Sequence, residues 1–445
     1  MLSITAAALL LASGLRALAA AVPNAAPDGV IPGQYIVSLK PGLKPTEVQH
    51  QLDWAAAVHR RSPRRRDTTG VGKSFSIGGF NAYTGSFDED TVAQIKAGDA
   101  VLSVEPNRVV ELDVFTTQEN ANWGLASLSS PAQLPDDGDS HPYTYDESSG
   151  EGTFAYILDT GVQISHPDFA GRAVRGYNAQ PEEEFDDFGG HGTHVAGIVG
   201  SQTYGVVKKG TIVDVKVLAG LGSGSVETVL DGYNWAVNNI TQTPGRLAKS
   251  VISLSLGFPV SSQTSALDDA VKAAFDLGVI TVVSAGNSNQ DASRRSPARA
   301  ERAFTVAASD WNRTRASFSN YGSVVEMFAP GVRIKSLDLD GGYATLSGTS
   351  QAVPHVTGLV AYLRSKEDLA TPQAVWDRMT KLAIEGAVHD PKGTANLLAY
   401  NGAETTATRR AKDVVVMMGS ISTRVPDRPQ RSERRSESSP GVLIS

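Results

Sequence analysis

Two stretches of the chain differ in how apolar and polar residues alternate. Between residues 34 and 112, short runs such as QYIVSLK, SFSIGG and NAYTGSF predict strands, and PTEVQHQLDWAAAVHRR and EDTVAQIKAG carry apolar residues at helical spacing. With VLSVEPNRVVEL as the last strand, the order is β-α-β-β-α-β. That order predicts a small ferredoxin-like α+β module over residues 34–112.

From about residue 150 to 365 the apolar runs are continuous. TFAYILD, TIVDVKVL, SVISLSLG and VITVVSAG are typical of buried strands, and they alternate with helical segments such as HGTHVAGIVGS and SQAVPHVTGLVAYLRSK. Apolar strands separated by helices predict an α/β fold, a mostly parallel sheet with helices on both faces. In such sheets, reactive groups gather at the carboxyl ends of the strands.

The two ends of the chain have different compositions. Residues 1–19 contain an apolar core followed by Ala-Leu-Ala, which predicts a cleaved signal peptide and a secreted, extracellular protein. Residues 405–445 are rich in Arg, Ser and Pro and predict a disordered, low-complexity tail, with a short packed strand at DVVVMM as the alternative. The Arg-rich run HRRSPRRRD is interpreted as a solvated loop, with a processing site as the alternative.

Composition excludes several classes of protein. A net charge of −7 argues against nucleic-acid binding, and the absence of cysteine excludes disulfides and thiolate sites. Beyond the N-terminus no segment is apolar enough to span a membrane, so we expect no membrane partner. We also expect a monomeric protein. Asn239 and Asn312 begin N-x-[ST] sequons and are candidate glycosylation sites.

The segment LSGTSQAVPHVTGL contains the first candidate for chemistry. Ser350 follows a Gly-Thr turn where an apolar helix begins, but a serine attacks only when a base takes its proton and a third group holds that base. Among eight histidines, His191 stands out because it follows a Gly-Gly turn and opens a helix, whereas we expect His194 to pack internally. Asp159 ends an apolar strand and is the candidate carboxylate. The chain order Asp159, His191, Ser350 is one of the known orders of the catalytic triad.

A fourth residue adds to this set. Asn287 follows a strand and a glycine in VVSAGNSNQ. Amide hydrolysis passes through an oxyanion that needs hydrogen-bond donors placed in advance, and the Asn287 amide and the backbone N–H of Ser350 are suited to that task. A loop cap is the alternative role for Asn287.

Four blocks carry a family resemblance: ILDTGV, GGHGTHVAG, SAGN and SGTSQAVPH, in that order. They resemble the signature blocks of subtilases, in particular the proteinase K group of fungal secreted proteases, and the N-terminal module resembles the inhibitory propeptide of that family. The resemblance implies a propeptide over residues 20–115, a catalytic domain over residues 116–404, and a zymogen that matures by cleavage between Phe115 and Thr116.

The resemblance also implies roles for the site residues. Asp159 would orient His191, which would act as the base for Ser350, and the chemistry would need no cofactor. Two segments would bind an extended protein or peptide substrate between them, and a third would line the pocket for the side chain before the cut bond, with room for a large apolar or aromatic group. These segments are Gly222-Ser223-Gly224, Ser255-Leu256-Gly257 and Ser284-Ala285-Gly286.

The chain departs from the family at several positions. Gln351 and Val353 stand where Met and Thr are usual, and Thr357 replaces a smaller residue, so altered activity is conceivable but every proton-transfer group is present. Glu326 stands where a calcium-ligating Asp is expected. A structural calcium ion there is a hypothesis, because a carboxylate one methylene longer can still bind calcium.

Three other functions were weighed. A silent relative that only binds peptides predicts a missing triad member, and none is missing. A metallohydrolase would use His191 and His194, but these lack the glutamate and the spacing of H-E-x-x-H. A nucleotide-binding protein, suggested by GLGSGS, lacks the full glycine spacing and an acidic ribose partner. The sequence therefore favours a secreted serine endopeptidase.

Overall fold

Residues 30–108, 115–260 and 265–403 are described by a computed structural model. Their contacts divide them into two units, residues 30–108 and residues 115–403. The predicted signal peptide (1–19) and C-terminal tail (405–445) lie outside the described residues. Among the described helices, none is long and apolar enough to cross a membrane.

The smaller unit has the predicted β-α-β-β-α-β order. Its elements are β1 (Val30–Leu39), α1 (Pro45–Arg61), β2 (Gly70–Ile77), β3 (Phe80–Ser86), α2 (Glu89–Lys96) and β4 (Val101–Arg108). The strands form an antiparallel sheet in the order β2-β3-β1-β4. Val37, Tyr83 and Ile95 are buried in the core between this sheet and its helices. In the Arg-rich run HRRSPRRRD, residues 59–61 end α1 and residues 63–67 form an exposed turn, so only the second half of the run agrees with the predicted solvated loop.

The larger unit contains a nine-stranded sheet, β18-β19-β15-β14-β12-β10-β7-β9-β8, whose described pairs are parallel except β18 with β19. The strands of this unit, nine in the large sheet and six in three two-stranded sheets, are β5 (Phe115–Ala121), β6 (His141–Asp146), β7 (Phe154–Asp159), β8 (Ala173–Asn178), β9 (Thr211–Lys216), β10 (Ser250–Leu254), β11 (Phe258–Pro259), β12 (Thr281–Ser284), β13 (Arg295–Ser296), β14 (Phe304–Ser309), β15 (Met327–Pro330), β16 (Ile334–Leu337), β17 (Tyr343–Leu346), β18 (Ile384–Glu385) and β19 (Leu397–Leu398).

Helices cover both faces of this sheet. They are α3 (Trp123–Ser127), α4 (His191–Gly200), α5 (Val226–Gln242), α6 (Ala266–Asp276), α7 (Thr349–Lys366) and α8 (Pro372–Leu382). Successive side chains of a strand point to opposite faces, and in β7 Ile157 belongs to the core with α4, α7 and α8 while Leu158 belongs to the core with α5 and α6. The predicted α/β fold with two helical layers is confirmed.

The carboxyl ends of the central strands meet at one edge of the sheet. Asp159 is the last residue of β7, Ser255 directly follows β10, and Ser284 ends β12. The sequence pattern did not predict β14 and β15, although FTVAAS and MFAP are buried throughout. Periodicity alone does not distinguish a fully buried strand from a segment of buried helix.

Candidate active site

His191 and Asp159 are in direct contact. The imidazole Nδ1 lies 2.6 Å from Asp159 Oδ1, which also accepts from the Thr160 amide at 2.8 Å. The carboxylate is buried, whereas the imidazole side chain is 33% exposed. The nearby carboxylate raises the pKa of His191, because the negative charge of Asp159 favours the imidazolium more than burial disfavours it. A hydrogen bond at Nδ1 leaves Nε2 free to accept a proton.

A glycine allows this contact. His191 is the first residue of α4, and Gly192 follows it. A Cβ on Gly192 would lie 2.0 Å from the carbonyl oxygen of Gly161 and 3.1 Å from Asp159 Cβ. Only glycine therefore permits the start of α4 to approach the end of β7 so closely.

A second buried carboxylate, Asp187, fixes the loop before α4. Its Oδ1 accepts from Thr160 Oγ1 (2.8 Å) and from the amides of Gly189 and Gly190 (both 3.0 Å). Its Oδ2 accepts from the amide and hydroxyl of Thr193 at 2.9 and 2.7 Å. The local sequence pattern did not predict this role for Asp187. An acidic residue four positions before His191 was the available signal, but it was hidden in the acidic run EEEFDD.

Ser350 lies in the first turn of α7 and is coupled to Ser255. Its carbonyl would normally accept from residue 354, but that residue is proline and has no N–H. The carbonyl instead accepts from Ser255 Oγ at 3.0 Å, while Ser350 Oγ donates to the Ser255 carbonyl at 3.0 Å. Within the described residues, the hydroxyl thus bonds to Ser255 and not to His191. An attack on substrate would require this hydroxyl to rotate.

Asn287 is oriented by the residue before the candidate nucleophile. Its Oδ1 accepts from the amide and hydroxyl of Thr349 at 2.8 and 2.9 Å. Because an amide N–H needs an acceptor, these bonds assign the oxygen and leave Nδ2 as the free donor. Asn320, which carries no local sequence signal, holds the same loop by accepting from the amides of Ser288 and Gln290 and donating to the Ala285 carbonyl.

Two of the predicted substrate segments line one cleft of about 820 Å³. Gly222-Ser223-Gly224 and Ser255-Leu256-Gly257 both contribute to its lining, together with His191. A second pocket of about 260 Å³ adjoins it and is lined by Ser284, Gly286, Asn287 and Ser350, among others. The structure therefore brings His191 and Ser350 to neighbouring cavities that share the 255–257 wall.

The lining of the smaller pocket differs from the sequence-based prediction at two residues. Ala285 does not line it, because its side chain packs in a core with Phe328 and Val388 and its backbone is bonded within the sheet. Arg295, which carries no local sequence signal, lines this pocket and donates from Nη2 to the Gly257 carbonyl at 2.6 Å.

The remaining chemical candidates are structural. His194 is buried, and burial lowers its pKa to about 4. It contacts the Ala344 carbonyl through Nε2 at 3.2 Å, so it is a neutral core residue as expected. Gln351, Val353 and Thr357 are also buried in α7, where the Thr357 hydroxyl donates to Ser253 Oγ at 3.2 Å.

Glu326 does not have the surroundings of a carboxylate-rich calcium site. Burial raises its pKa to about 7. In the part of the chain that the structure describes, no three His, Cys, Asp or Glu side chains are grouped to hold a metal ion. A calcium ion here would depend on backbone carbonyls and water for its other ligands.

The two sequons lie in different settings. Asn239 is within α5, and its Oδ1 accepts from Tyr156 Oη at 2.6 Å and Arg246 Nη1 at 3.1 Å. Asn312 lies in a turn, and its Oδ1 accepts from the amide and hydroxyl of Thr314 at 3.2 and 2.6 Å.

Comparison with known proteins gives two family matches. Residues 150–410 match the subtilase family, and residues 34–113 match the family described as peptidase inhibitor I9.

Individual relatives agree with these matches. Alkaline protease 1 of Aspergillus flavus is 46% identical over 412 residues, which cover 90% of this chain and 100% of the relative. Subtilisin-like proteinase Mp1 of Magnaporthiopsis poae is 47% identical over 407 residues, covering 89% and 98%. The crystal structure of a cold adapted subtilisin-like serine proteinase is 42% identical and covers 64% of this chain and 100% of its own, with a TM-score of 0.58.

Proposed function

The chain belongs to the subtilase family of serine proteases, and on that premise we propose that Asp159, His191 and Ser350 are its catalytic triad. The observation that carries the proposal is the 2.6 Å contact of His191 Nδ1 with Asp159 Oδ1, where His191 and Ser350 line neighbouring cavities that share the 255–257 wall. His191 takes the proton of Ser350, the serine oxygen attacks the peptide carbonyl, and an acyl-enzyme forms. His191 then gives the proton to the leaving amine, and water releases the acid by the reverse sequence.

The oxyanion would be held by Asn287 Nδ2 and the backbone N–H of Ser350. The supporting observations are the orientation of the amide by Thr349 and the position of Ser350 in the first turn of α7. Backbone N–H groups at a helix start are unpaired and carry partial positive charge, which stabilises an adjacent anion. No cofactor takes part in these steps.

Substrate would bind as an extended peptide between the two segments that line the larger cleft. Main-chain hydrogen bonds from such segments give affinity without selecting sequence, so broad specificity follows. Ser284 has a small side chain and Gly286 has none, so the pocket that they line leaves space for the side chain before the cut bond. We expect substrates with a large apolar or aromatic residue at that position to be preferred.

The N-terminal module belongs to the inhibitor family, so the chain contains its own propeptide, and the zymogen would mature between Phe115 and Thr116. Phe115 begins β5 and pairs with Asp146 of β6. N-terminal sequencing of the mature protein tests this site, and a start far from Thr116 would exclude it.

Secretion and a structural role for calcium complete the proposal. Signal-peptide removal after residue 19 is tested by expression of the full chain and analysis of the medium. The thermal unfolding midpoint with and without EDTA tests whether calcium stabilises the protein. The Glu326→Gln variant, measured in the same way, separates a site at this position from other ion sites.

Mass spectrometry before and after deglycosylation tests whether Asn239 and Asn312 carry glycans. Size-exclusion chromatography tests whether the protein is a monomer.

Hydrolysis of casein and of chromogenic peptides by the purified mature protein tests the central proposal. We expect activity in the wild type, covalent labelling by an organophosphate, and loss of both in Ser350→Ala. Peptide binding without turnover or labelling in the wild type would favour the silent relative instead.

A further inference from the structure

Arg295 occupies a position that the expectation of an apolar pocket does not explain. It lines the pocket together with Asn287 and Ser350. Its backbone is fixed by the pairing of β13 with β11, where Arg295 is opposite Pro259. Its aliphatic stem runs along Gly286, because a Cβ on that glycine would lie 2.6 Å from Arg295 Cδ and 2.8 Å from Nε. The guanidinium therefore spans the space between the 255–257 wall and the 284–286 wall.

The charge of Arg295 is not balanced within the described residues. The one described hydrogen bond of its side chain is donated to the Gly257 carbonyl, and no described carboxylate forms an ion pair with it. Desolvation lowers its pKa, with no acidic group opposing the shift. Arg299, four residues later, differs because its Nε donates to Asp268 at 2.8 Å. A partly buried cation without a counter-ion is unfavourable unless something else supplies the charge.

A substrate carboxylate would supply it. A guanidinium carries five N–H donors in a planar fork, and the contact with Gly257 uses one of them. The fork matches the two oxygens of a carboxylate, and such charge-assisted pairs are about twice as strong as neutral hydrogen bonds. The pocket that Arg295 lines has a volume of about 260 Å³, which leaves room for a side chain that reaches inward from the cut bond.

We propose that Arg295 makes the pocket accept a glutamate before the cut bond, in addition to large apolar and aromatic residues. The inference rests on the proposed function, since it assigns a substrate class to the same site. Aromatic residues remain compatible because a guanidinium also stacks on aromatic rings. The competing explanation is that Arg295 only braces the wall through Gly257.

Chromogenic peptides that differ only in the residue before the cut bond separate these explanations. The set contains Phe, Glu, Gln and Lys, and the readout is kcat/KM for each. We expect wild type to cleave the Glu peptide faster than the uncharged Gln peptide. Arg295→Gln should lower the rate for Glu about 10- to 100-fold, because a charged hydrogen-bond partner is lost, and the rate for Phe no more than about fivefold, because only a stacking contact is lost. Arg295→Glu should reverse the preference in favour of Lys. Arg294→Gln, at the exposed neighbouring arginine, is the matched control and should change neither ratio.

The outcomes are distinguishable. If the Phe peptide is cleaved but Glu has no advantage over Gln, or if the advantage survives in Arg295→Gln, the inference is wrong and the proposed function stands. If no peptide in the set is cleaved, the proposed function fails and the inference with it. Retained activity on Phe shows that each variant is folded. Equal losses on Phe and Glu in Arg295→Gln would support the bracing role and overturn the proposal.

Discussion

The two helix starts that carry the reacting side chains are held in opposite ways. At the start of α4, Asp187 accepts hydrogen bonds from three backbone amides and two hydroxyls, and Asp159 holds the imidazole of His191. At the start of α7, the hydroxyl of Ser350 donates to the Ser255 carbonyl. On the proposed mechanism, the base already has the orientation that catalysis needs, whereas the hydroxyl of the nucleophile is bonded to Ser255.

This difference indicates where preorganisation matters. The charge that develops on His191 is stabilised without rearrangement only if its carboxylate partner is fixed beforehand. The bond that holds Ser350 is a neutral one, with a net contribution of about 1 kcal/mol, so it is easily exchanged. The Ser255 carbonyl belongs to the segment proposed to pair with substrate. Substrate binding would therefore compete for the acceptor that holds the hydroxyl.

Asp159→Asn should give the largest loss in kcat, because it removes the carboxylate that orients His191. An amide cannot hold the imidazole in the required tautomer, and the matching substitution in chymotrypsin-type triads lowers kcat about 10⁴-fold. We expect a loss of similar size on a Phe peptide. The measurement is kcat together with the thermal unfolding midpoint, which should stay close to wild type. A loss below about tenfold would show that Asp159 does not act through His191.

Asn287→Ala should have the second largest effect, because it removes a donor beside the nucleophile. Loss of the corresponding donor in subtilisin costs about 100- to 1,000-fold in kcat. We expect a decrease in that range with KM nearly unchanged, since the donor acts on the oxyanion and not on the bound substrate. Ser288→Ala, at the adjacent exposed residue, is the control and should have little effect. A change confined to KM would assign Asn287 to substrate binding.

Asp187→Asn should loosen the loop before α4 but leave His191 in contact with Asp159, so activity should be reduced and not abolished. An amide can replace some acceptors of the carboxylate but not all, and small misplacements of a catalytic group cost up to about 100-fold. The charge of Asp187 also raises the pKa of His191, so its removal should lower that pKa. Because the base must be neutral, the acidic limb of kcat/KM should move to lower pH. In wild type this limb should lie above the ordinary histidine value of about 6.5.

Asp186→Asn is the matched control for this measurement. Asp186 is adjacent in sequence and 40% exposed, and it pairs with Arg175 at 3.0 Å. It is not among the charges that raise the pKa of His191. A pH profile that moves equally in both variants would show that general surface charge, and not Asp187, sets the limb.

Much of this site was predictable because its residues carry local signals. Asp159 ends a continuous apolar run, and His191 and Ser350 each follow glycine-containing turns where helices begin. The alternation of strands and helices likewise predicted the sheet that brings these ends together. The roles assigned to the four side chains stay predictions until the variants are measured.

The rest depends on contacts between distant segments, which no local pattern reports. Asp187 is one of several acidic residues in its run, and only the folded loop shows that its carboxylate is buried among five donors. Arg295 belongs to an Arg-Arg pair in a loop, and the pairing of β13 with β11 decides which arginine enters the pocket. Ala285 shows the same limit, since its position in the triplet gave no indication that it points into the core.

The smallest predicted effect tests how the flexible side is held. Ser255→Ala removes the hydroxyl that donates to the Ser350 carbonyl but keeps the backbone acceptor of Ser350 Oγ. The carbonyl is then left without a donor because residue 354 is proline, and we expect a loss of about 1–2 kcal/mol in the free energy of unfolding, with kcat changed only a few-fold.

Pro354→Ala supplies a matched rescue. An alanine at this position provides the N–H that an uninterrupted helix would donate to the Ser350 carbonyl. In the double variant Ser255→Ala, Pro354→Ala, the free energy of unfolding should therefore fall by less than the sum of the single changes, and urea unfolding of all four proteins measures this coupling. If the two changes add independently, the Ser255 hydroxyl does not replace the missing helical bond. The start of α7 would then be held by its burial and by the bonds of Thr349 to Asn287, without a contribution from the Ser255 hydroxyl.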